Sequence, residues 1–381
     1  MKPSQVALQQ SSVTRTARLF VSLELGDTKW HVTASDGGTR VSEYTVSAGD
    51  GPRLLAVIER ARERFGVQKG TAVVSCYEAG RDGFWLHRFL EANGVRNHVV
   101  DAASIEVNRR QRRVKTDRLD GRKLLSMLVR FVSGESRLWA VLRVPSEAEE
   151  DARRPHRERE RLVKERGAHI ARIKSLLVLH NVREKRVGCQ SWAKQFKALV
   201  VPERLREELE RQTERLALVD RQIAQLERAQ AKRLQQPSSA QDQGLIKQQR
   251  LQRLRGLGAI GAWVLARELF AWRTFNNRRQ LAGSVGLGSS PYRSGSSERD
   301  QGISKAGNPR IRTLMVELAW SWLRYQPESL LAKWYAQRFG PGSGRSRRIG
   351  IVALARRLLI ALWHFVEHGV IPEGAKLKPA A

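Results

Sequence analysis

The sequence predicts an α/β domain at the front of the chain and a mostly helical remainder. Over the first third, short apolar runs bounded by tight glycine turns alternate with amphipathic stretches, the pattern of a mixed sheet with helices on its faces. Beyond residue 145 the apolar spacing becomes helical and stays so almost to the end. A third observation is charge: 69 Lys plus Arg against 38 Asp plus Glu leave +31, spread over all 381 residues and not held in one tail. Such a chain is drawn to polyanions, with an affinity that falls steeply with salt. Nucleic acid is therefore the expected partner ahead of an anionic membrane, since no basic amphipathic anchor stands out.

After a polar leader (1–17), β-type runs at 18–25, 29–34 and 40–46 are separated by Gly26-Asp27 and Gly37-Gly38, which favours an antiparallel meander. A helix at 53–64 places Leu54, Leu55, Ile58 and Ala61 on one face. A strand at 71–77, a helix at 84–92, a strand at 97–100 and a helix from about Thr116 complete the order β-β-β-α-β-α-β-α. That is the order of the ribonuclease H-like fold, predicted over 18–144.

Ser146 to Glu149 form a capping box that opens a long charged helical region, and Pro155 should kink or restart it. Leu205, Leu209, Leu216, Val219, Ile223 and Leu226, with Gln212 in the missing position, make a heptad seam. Three arrangements suit it: a hairpin with 170–179, a seam between protomers, or an ordinary bundle helix. Residues 145–235 are thus a helical, coiled-coil domain, and the polar stretch QQPSSAQDQG marks a linker at 236–245. A third, helical domain is expected over 246–370, followed by a frayed tail at 371–381. Gly256, Gly258 and Gly261 in LRGLGAIGAWVLARELF resemble a helix-hairpin-helix element, whose turn amides grip a nucleic-acid backbone.

Cys76 and Cys189 are too few for a disulfide framework and badly spaced for zinc. The first residues lack an apolar signal core and no uninterrupted apolar stretch reaches spanning length, so a soluble intracellular protein is expected.

Two groups of residues suggest chemistry. Glu24 ends the run RLFVSLEL and Glu78 ends TAVVSCYE, while Asp117 and Asp120 share one face of a helix start in KTDRLDGRKLL. Acids converging from separate elements can hold two divalent cations for phosphodiester chemistry, Mg²⁺ being expected and Mn²⁺ a substitute. Acids in a first helical turn are also ordinary dipole-matching residues. Glu24 and Glu78 are harder to explain so, because an acid ending an apolar strand must find a partner or water. Downstream, Ser294 lies in the loop SPYRSGSSERDQGISKAGN near Arg293, Arg299, Lys305, Arg310 and Arg312, cations that suit attack on phosphorus. No histidine is nearby in sequence, which argues against a Ser-His-Asp hydrolase.

The blocks FVSLELGDTKW, YEAG and KTDRLDGRKL, then LRGLGAIGAWVLARELF, LAGSVGLGSSPYRSG and GISKAGNPRIRTLMVELA, resemble in order the Piv/MooV-type insertion-sequence transposases over roughly residues 18–325. The resemblance implies a RuvC-like domain with a DEDD metal quartet falling on Glu24, Glu78, Asp117 and Asp120. It also implies a second domain whose Ser294 forms a covalent phosphoserine link to DNA. It further implies DNA partners (element ends and target), a structured guide RNA, a homo-oligomer assembling from dimer to tetramer, and a cytoplasmic, nucleoid-associated location. One departure is visible: the family's first acid is usually Asp, and Glu24 is one methylene longer. Asp27 is the alternative ligand but falls in the turn. The competing functions are a metal-dependent junction resolvase using water, and a non-catalytic nucleic-acid scaffold.

Overall fold

The computed structural model describes residues 18–105, 117–136, 138–189, 191–237, 242–294 and 297–379; the side chains of residues 103, 117–119 and 290–301 lie outside that description. The chain divides into two compact units, one ending at Val144 and one beginning at Pro145.

In the first unit, β1 (Leu19–Leu25), β2 (Lys29–Ser35) and β3 (Ser42–Ser47) form the expected antiparallel meander. The helix α1 (Gly51–Arg64) leads to β4 (Val73–Glu78), and α2 (Trp85–Ala92) leads to β5 (Val95–Val100). Strands β1, β4 and β5 run parallel, giving the order β3-β2-β1-β4-β5. Parallel neighbours need crossovers, and both faces must then be covered. Alternation along β1 does this. Leu19, Val21 and Leu23 pack with Leu54 and Ile58 of α1 and Leu86 and Leu90 of α2. Phe20, with Val74 and Cys76 of β4, meets Leu124, Leu125 and Leu128 of α3 (Asp117–Val132). Cys76 is fully buried, and burial pushes its thiol up, in keeping with a core residue. The expected cap of α3, Thr116, lies outside the described residues.

The second unit opens with the capping box: Ser146 Oγ accepts from Glu149 N (3.1 Å), and Glu149 Oε2 accepts from Ser146 N (2.8 Å). A short helix α4 (Glu147–Asp151) stops, and α5 (Arg154–Val178) restarts at Pro155, because proline suits a first turn. After α6 (Trp192–Lys197), α7 (Glu203–Gln235) packs back along α5. Ile173, Leu176 and Leu177 interlock with Leu209 and Leu216, so the seam closes within the chain as a helical hairpin. Gln212 accepts a hydrogen bond from His169 Nδ1 (2.9 Å), which explains a polar residue in the seam. Arg159–Glu227, Arg166–Asp220 and Arg172–Glu208 ladder the two helices antiparallel.

The remaining elements are α8 (Gln243–Gln252), α9 (Ala259–Leu265) with a π-helical continuation at Ala266–Phe270, α10 (Arg278–Ser284), β6 (Ser289–Ser294), β7 (Ser297–Ile303), α11 (Pro309–Tyr325), α12 (Leu330–Phe339) and α13 (Gly344–His368). Three expectations change here, and one helix calls for comment. The presumed linker is helical from Gln243, because Asp242 caps α8 by accepting from Leu245 N (3.0 Å). The hairpin at 145–235 and the later helices belong to one unit, not to separate domains. The tail is docked: Leu377 pairs with Leu254, Arg255 N donates to Lys376 O (3.1 Å), and Gln326 binds both sides of Lys376. By length and composition α13 could pass for a membrane span, although Arg356 and Arg357 interrupt its apolar run. Its Ile351, Leu354, Leu358, Leu359, Leu362 and Phe365, however, are buried in the core against α11, so it is the unit's central helix.

Candidate active site

Two of the candidate acids, Glu24 and Glu78, lie at the same end of the sheet. The last β1–β4 pair is Leu23 with Tyr77, so Glu24 and Glu78 follow side by side at the carboxyl ends of two parallel neighbours. By the two-residue alternation they share the face of Phe20, Ser22, Val74 and Cys76, which is the face α3 covers. Strand ends are where side chains can leave a packed sheet, and Glu24 is half-buried while Glu78 is exposed.

The first turns of α3 are pinned to the same place. Buried Ser22 Oγ donates to Gly121 O (2.7 Å), two residues before Glu24. A Cβ at Gly121 would come within 2.8 Å of Thr33 Oγ1, so glycine is what lets the helix lie this close to β1 and β2. Asp120 precedes that glycine and is half-buried; Asp117 begins α3, its side chain outside the description. The alternative acid, Asp27, is exposed in the turn and bound to Arg81. Among the described residues no three acidic, His or Cys side chains stand close enough to hold a metal ion. The donor set, carboxylates alone, nevertheless suits a hard cation that prefers oxygen.

In the second unit Ser294 ends β6 and pairs with Ser297 of β7. The segment expected as a loop is therefore a β-hairpin, because its alternating residues find cross-strand partners. Tyr292 pairs with Arg299 and Arg293 with Glu298, so Arg299 takes a register position on the Ser294 side of the ribbon and Arg293 does not. Lys305, with φ 58°, sits just beyond β7 and is exposed.

Three residues expected on nucleic acid are otherwise engaged. Arg310 is ion-paired with Glu160 and lies 3.5 Å from Glu268. Arg312 donates to Val285 O (3.0 Å) and Ala306 O (3.3 Å), tying the hairpin base together. Gly261 is buried, with Leu318 of α11 close enough to meet any Cβ, so its smallness serves helix packing. Gly258 stays exposed as the cap of α9, while the carbonyl of Gly256 accepts from Ser321 Oγ (2.6 Å).

Sequence reasoning missed a buried ionic centre. Glu268, in the π-helical segment, is 2% exposed and accepts from His156 Nε2 (2.9 Å), Arg157 Nε (3.0 Å) and Nη2 (2.6 Å), and Asn308 Nδ2 (3.1 Å). Burial alone would raise its pKa; the bonds from His156 and Arg157 outweigh burial and hold the carboxyl well below its usual range. Burial lowers the pKa of His156 as well, with Arg157 and Arg310 adding to that and the bond to Glu268 opposing it. Alongside, Arg267 clasps Asp242 through both carboxylate oxygens (2.7 and 2.9 Å), and its pKa falls to about 2 although burial opposes it. A signal was present: an acid inside the apolar run WVLARELFAW must be paired.

Residues 248–334, which include Glu268, Ser294 and Asn308, match the Transposase IS116/IS110/IS902 family. Over 387 aligned residues the chain is 41% identical to the putative transposase y4rJ of Sinorhizobium fredii, covering 94% of each protein. The chain belongs to the IS110/IS116/IS902 transposase family. A second putative transposase of that organism, y4qE, is 30% identical over 67% of this chain and 60% of its own length. The transposase for insertion sequence element IS1328 of Yersinia enterocolitica is 30% identical over 32% of this chain and 36% of its own. Membership carries DNA recombination as the activity and DNA as the substrate.

Proposed function

We propose that the protein is a cytoplasmic recombinase that moves its own insertion sequence, with a RuvC-like first unit holding Mg²⁺ on Glu24, Glu78, Asp117 and Asp120, and Ser294 as the nucleophile. The observation that supports the metal half is the register of β1 and β4, whose last pair, Leu23 with Tyr77, leaves Glu24 and Glu78 as the next residues at adjacent parallel strand ends, with α3 pinned to Ser22 nearby. The strand order 3-2-1-4-5 with an antiparallel β2 supports the ribonuclease H-like reading. Bound Mg²⁺ would neutralise charge on a phosphate and make an attacking oxygen more acidic.

In the serine step, the Ser294 hydroxyl oxygen bonds to phosphorus as the P–O bond to one DNA strand breaks. The serine proton is lost and the departing strand leaves as an alkoxide that takes one up. The phosphoserine ester keeps the phosphodiester's energy, so a second strand's terminal hydroxyl can displace Ser294 without ATP. In this proposal Arg299, whose backbone pairs with Tyr292 two residues before Ser294, is the cation assigned to stabilise the added negative charge. A structured RNA guide and an oligomer remain parts of this proposal through the family resemblance. The heptad seam no longer argues for assembly, since the chain fills it itself.

The test is cleavage of DNA spanning the element's junction, with protein purified without nuclease treatment. Wild type should give a denaturation-resistant protein–DNA band in Mg²⁺, and Ser294→Ala should give neither band nor cut. Cutting that persists in Ser294→Ala would replace this reading with the hydrolytic, resolvase-like one.

A further inference from the structure

The β6–β7 hairpin is held at its base, and the hold leads to Glu268. The chain entering the hairpin and the chain leaving it are stitched together below the first strand pair. Ser304 N donates to Gly288 O (2.8 Å), Lys305 N to Gly286 O (3.2 Å) and Asn308 N to Ser284 O (2.9 Å). Gly286 and Gly307, at φ 71° and 77°, lie so close to the Ala306 and Ser284 carbonyls respectively that any Cβ would clash. The base thus has little freedom to open.

Asn308 is where this clamp meets the rest of the unit. Its Oδ1 caps α11 by accepting from Arg310 N (3.0 Å) and Ile311 N (3.3 Å). Its Nδ2 donates to buried Glu268 (3.1 Å), whose remaining acceptor sites are taken by His156 and Arg157 of α5. Glu268 is itself fixed, since Trp272 Nε1 donates to its carbonyl (3.0 Å) and its turn is π-helical, a form that recurs where a side chain is aimed for function.

We propose that Glu268 is a positioning residue for the serine hairpin, holding the Asn308 end of its base so that Ser294 is presented at a fixed angle. The proposal rests on Ser294 being the nucleophile. Glu268 itself touches no substrate. It acts through Asn308, and it links the hairpin's aim to α5 of the helical hairpin, so that strain on α5 would be felt at the serine.

The decisive variant is Asn308→Asp, which keeps a good helix cap but turns the donor facing Glu268 into a second carboxylate. A small misplacement of a nucleophile costs about 100-fold in rate, so covalent adduct formation should fall by about that factor. DNA affinity and its salt dependence should stay within twofold of wild type, which a general loss of structure would not allow. The double variant Glu268→Gln with Asn308→Asp restores one donor, one acceptor and the net charge, and should recover adduct formation most of the way. Adduct formation at the wild-type rate in Asn308→Asp overturns the proposal, as does a parallel fall in DNA affinity. A wild-type protein that forms no Ser294-dependent adduct would refute the underlying reading instead.

Discussion

The carboxylate end of the first unit and the serine hairpin of the second are positioned by opposite means. At the strand ends the fixing is steric, with one buried uncharged hydrogen bond: alternation on β1 and β4 delivers Glu24 and Glu78, and a glycine at 121 lets α3 settle on Ser22 and Thr33. At the hairpin the fixing is ionic: a buried carboxylate with three partners anchors Asn308, and two tight glycines close the base. Steric fixing tolerates changes of pH and salt but not of volume. Ionic fixing tolerates little loss of charge and is sensitive to acid.

The largest expected effect separates them by charge. Removing Glu268 strands buried His156 and half-exposed Arg157 beside a void, and each donor left without its acceptor costs about 1–3 kcal/mol, a few kcal/mol in total. Glu268→Ala should lower the denaturant midpoint of unfolding by a corresponding amount. Glu78→Ala, at an exposed strand end, should leave that midpoint nearly unchanged while abolishing Mg²⁺-dependent cutting. A stability loss in Glu78→Ala as large as in Glu268→Ala would erase the contrast.

The next effect separates them by volume. Gly121→Val forces atoms against Thr33, and overpacking of this kind costs about 1–3 kcal/mol. Cutting should fall with it, because Asp120 and Asp117 move with the helix start. Full activity in this variant would show that the seat of α3 is irrelevant to the site.

Acid comes third. Glu268 and Asp242 have depressed pKa values, so the stability they contribute is present above their ordinary values of 4.5 and 3.8 and is lost as pH falls, for Asp242 through about 2. Burial lowers the pKa of His156 in the folded chain, so below about 6.5 the unfolded chain takes up that proton first, which also destabilises the fold as pH falls. Melting temperature should decline from about pH 6.5 downward and more steeply below 4.5, and Glu268→Gln should flatten the steep limb. An unchanged profile in that variant would remove Glu268 from the account of acid stability. The smallest effect belongs to the exposed ladder. Arg172→Ala, losing a 2.7 Å bond to Glu208, should cost less than about 1 kcal/mol by chemical denaturation. A cost of several would mean that the α5–α7 pairing is held by its charges.

The same division explains what the sequence revealed. Alternation and glycine turns announce a sheet, so β1 to β5 and the acids at their ends were readable, as were the capping box and the restart at Pro155. The ionic centre was not, because His156 and Arg157 sit in a run of charges that resembles a solvated surface, and only the fold brings Glu268 against them. Ser294 was singled out by resemblance alone, and its hairpin was hidden by a serine- and glycine-rich composition that mimics a loop. The tail looked frayed for want of apolar spacing; its anchors are backbone bonds to 253–255 and Gln326, which leave no pattern in sequence.

The most direct test of the central claim is to digest the protein–DNA adduct formed in Mg²⁺ and map the modified peptide by mass spectrometry. A nucleotide-bearing phosphate on Ser294, absent when Glu78 is replaced by Ala, is the predicted result. A modification on any other residue, or cut DNA with no modified peptide, would contradict it.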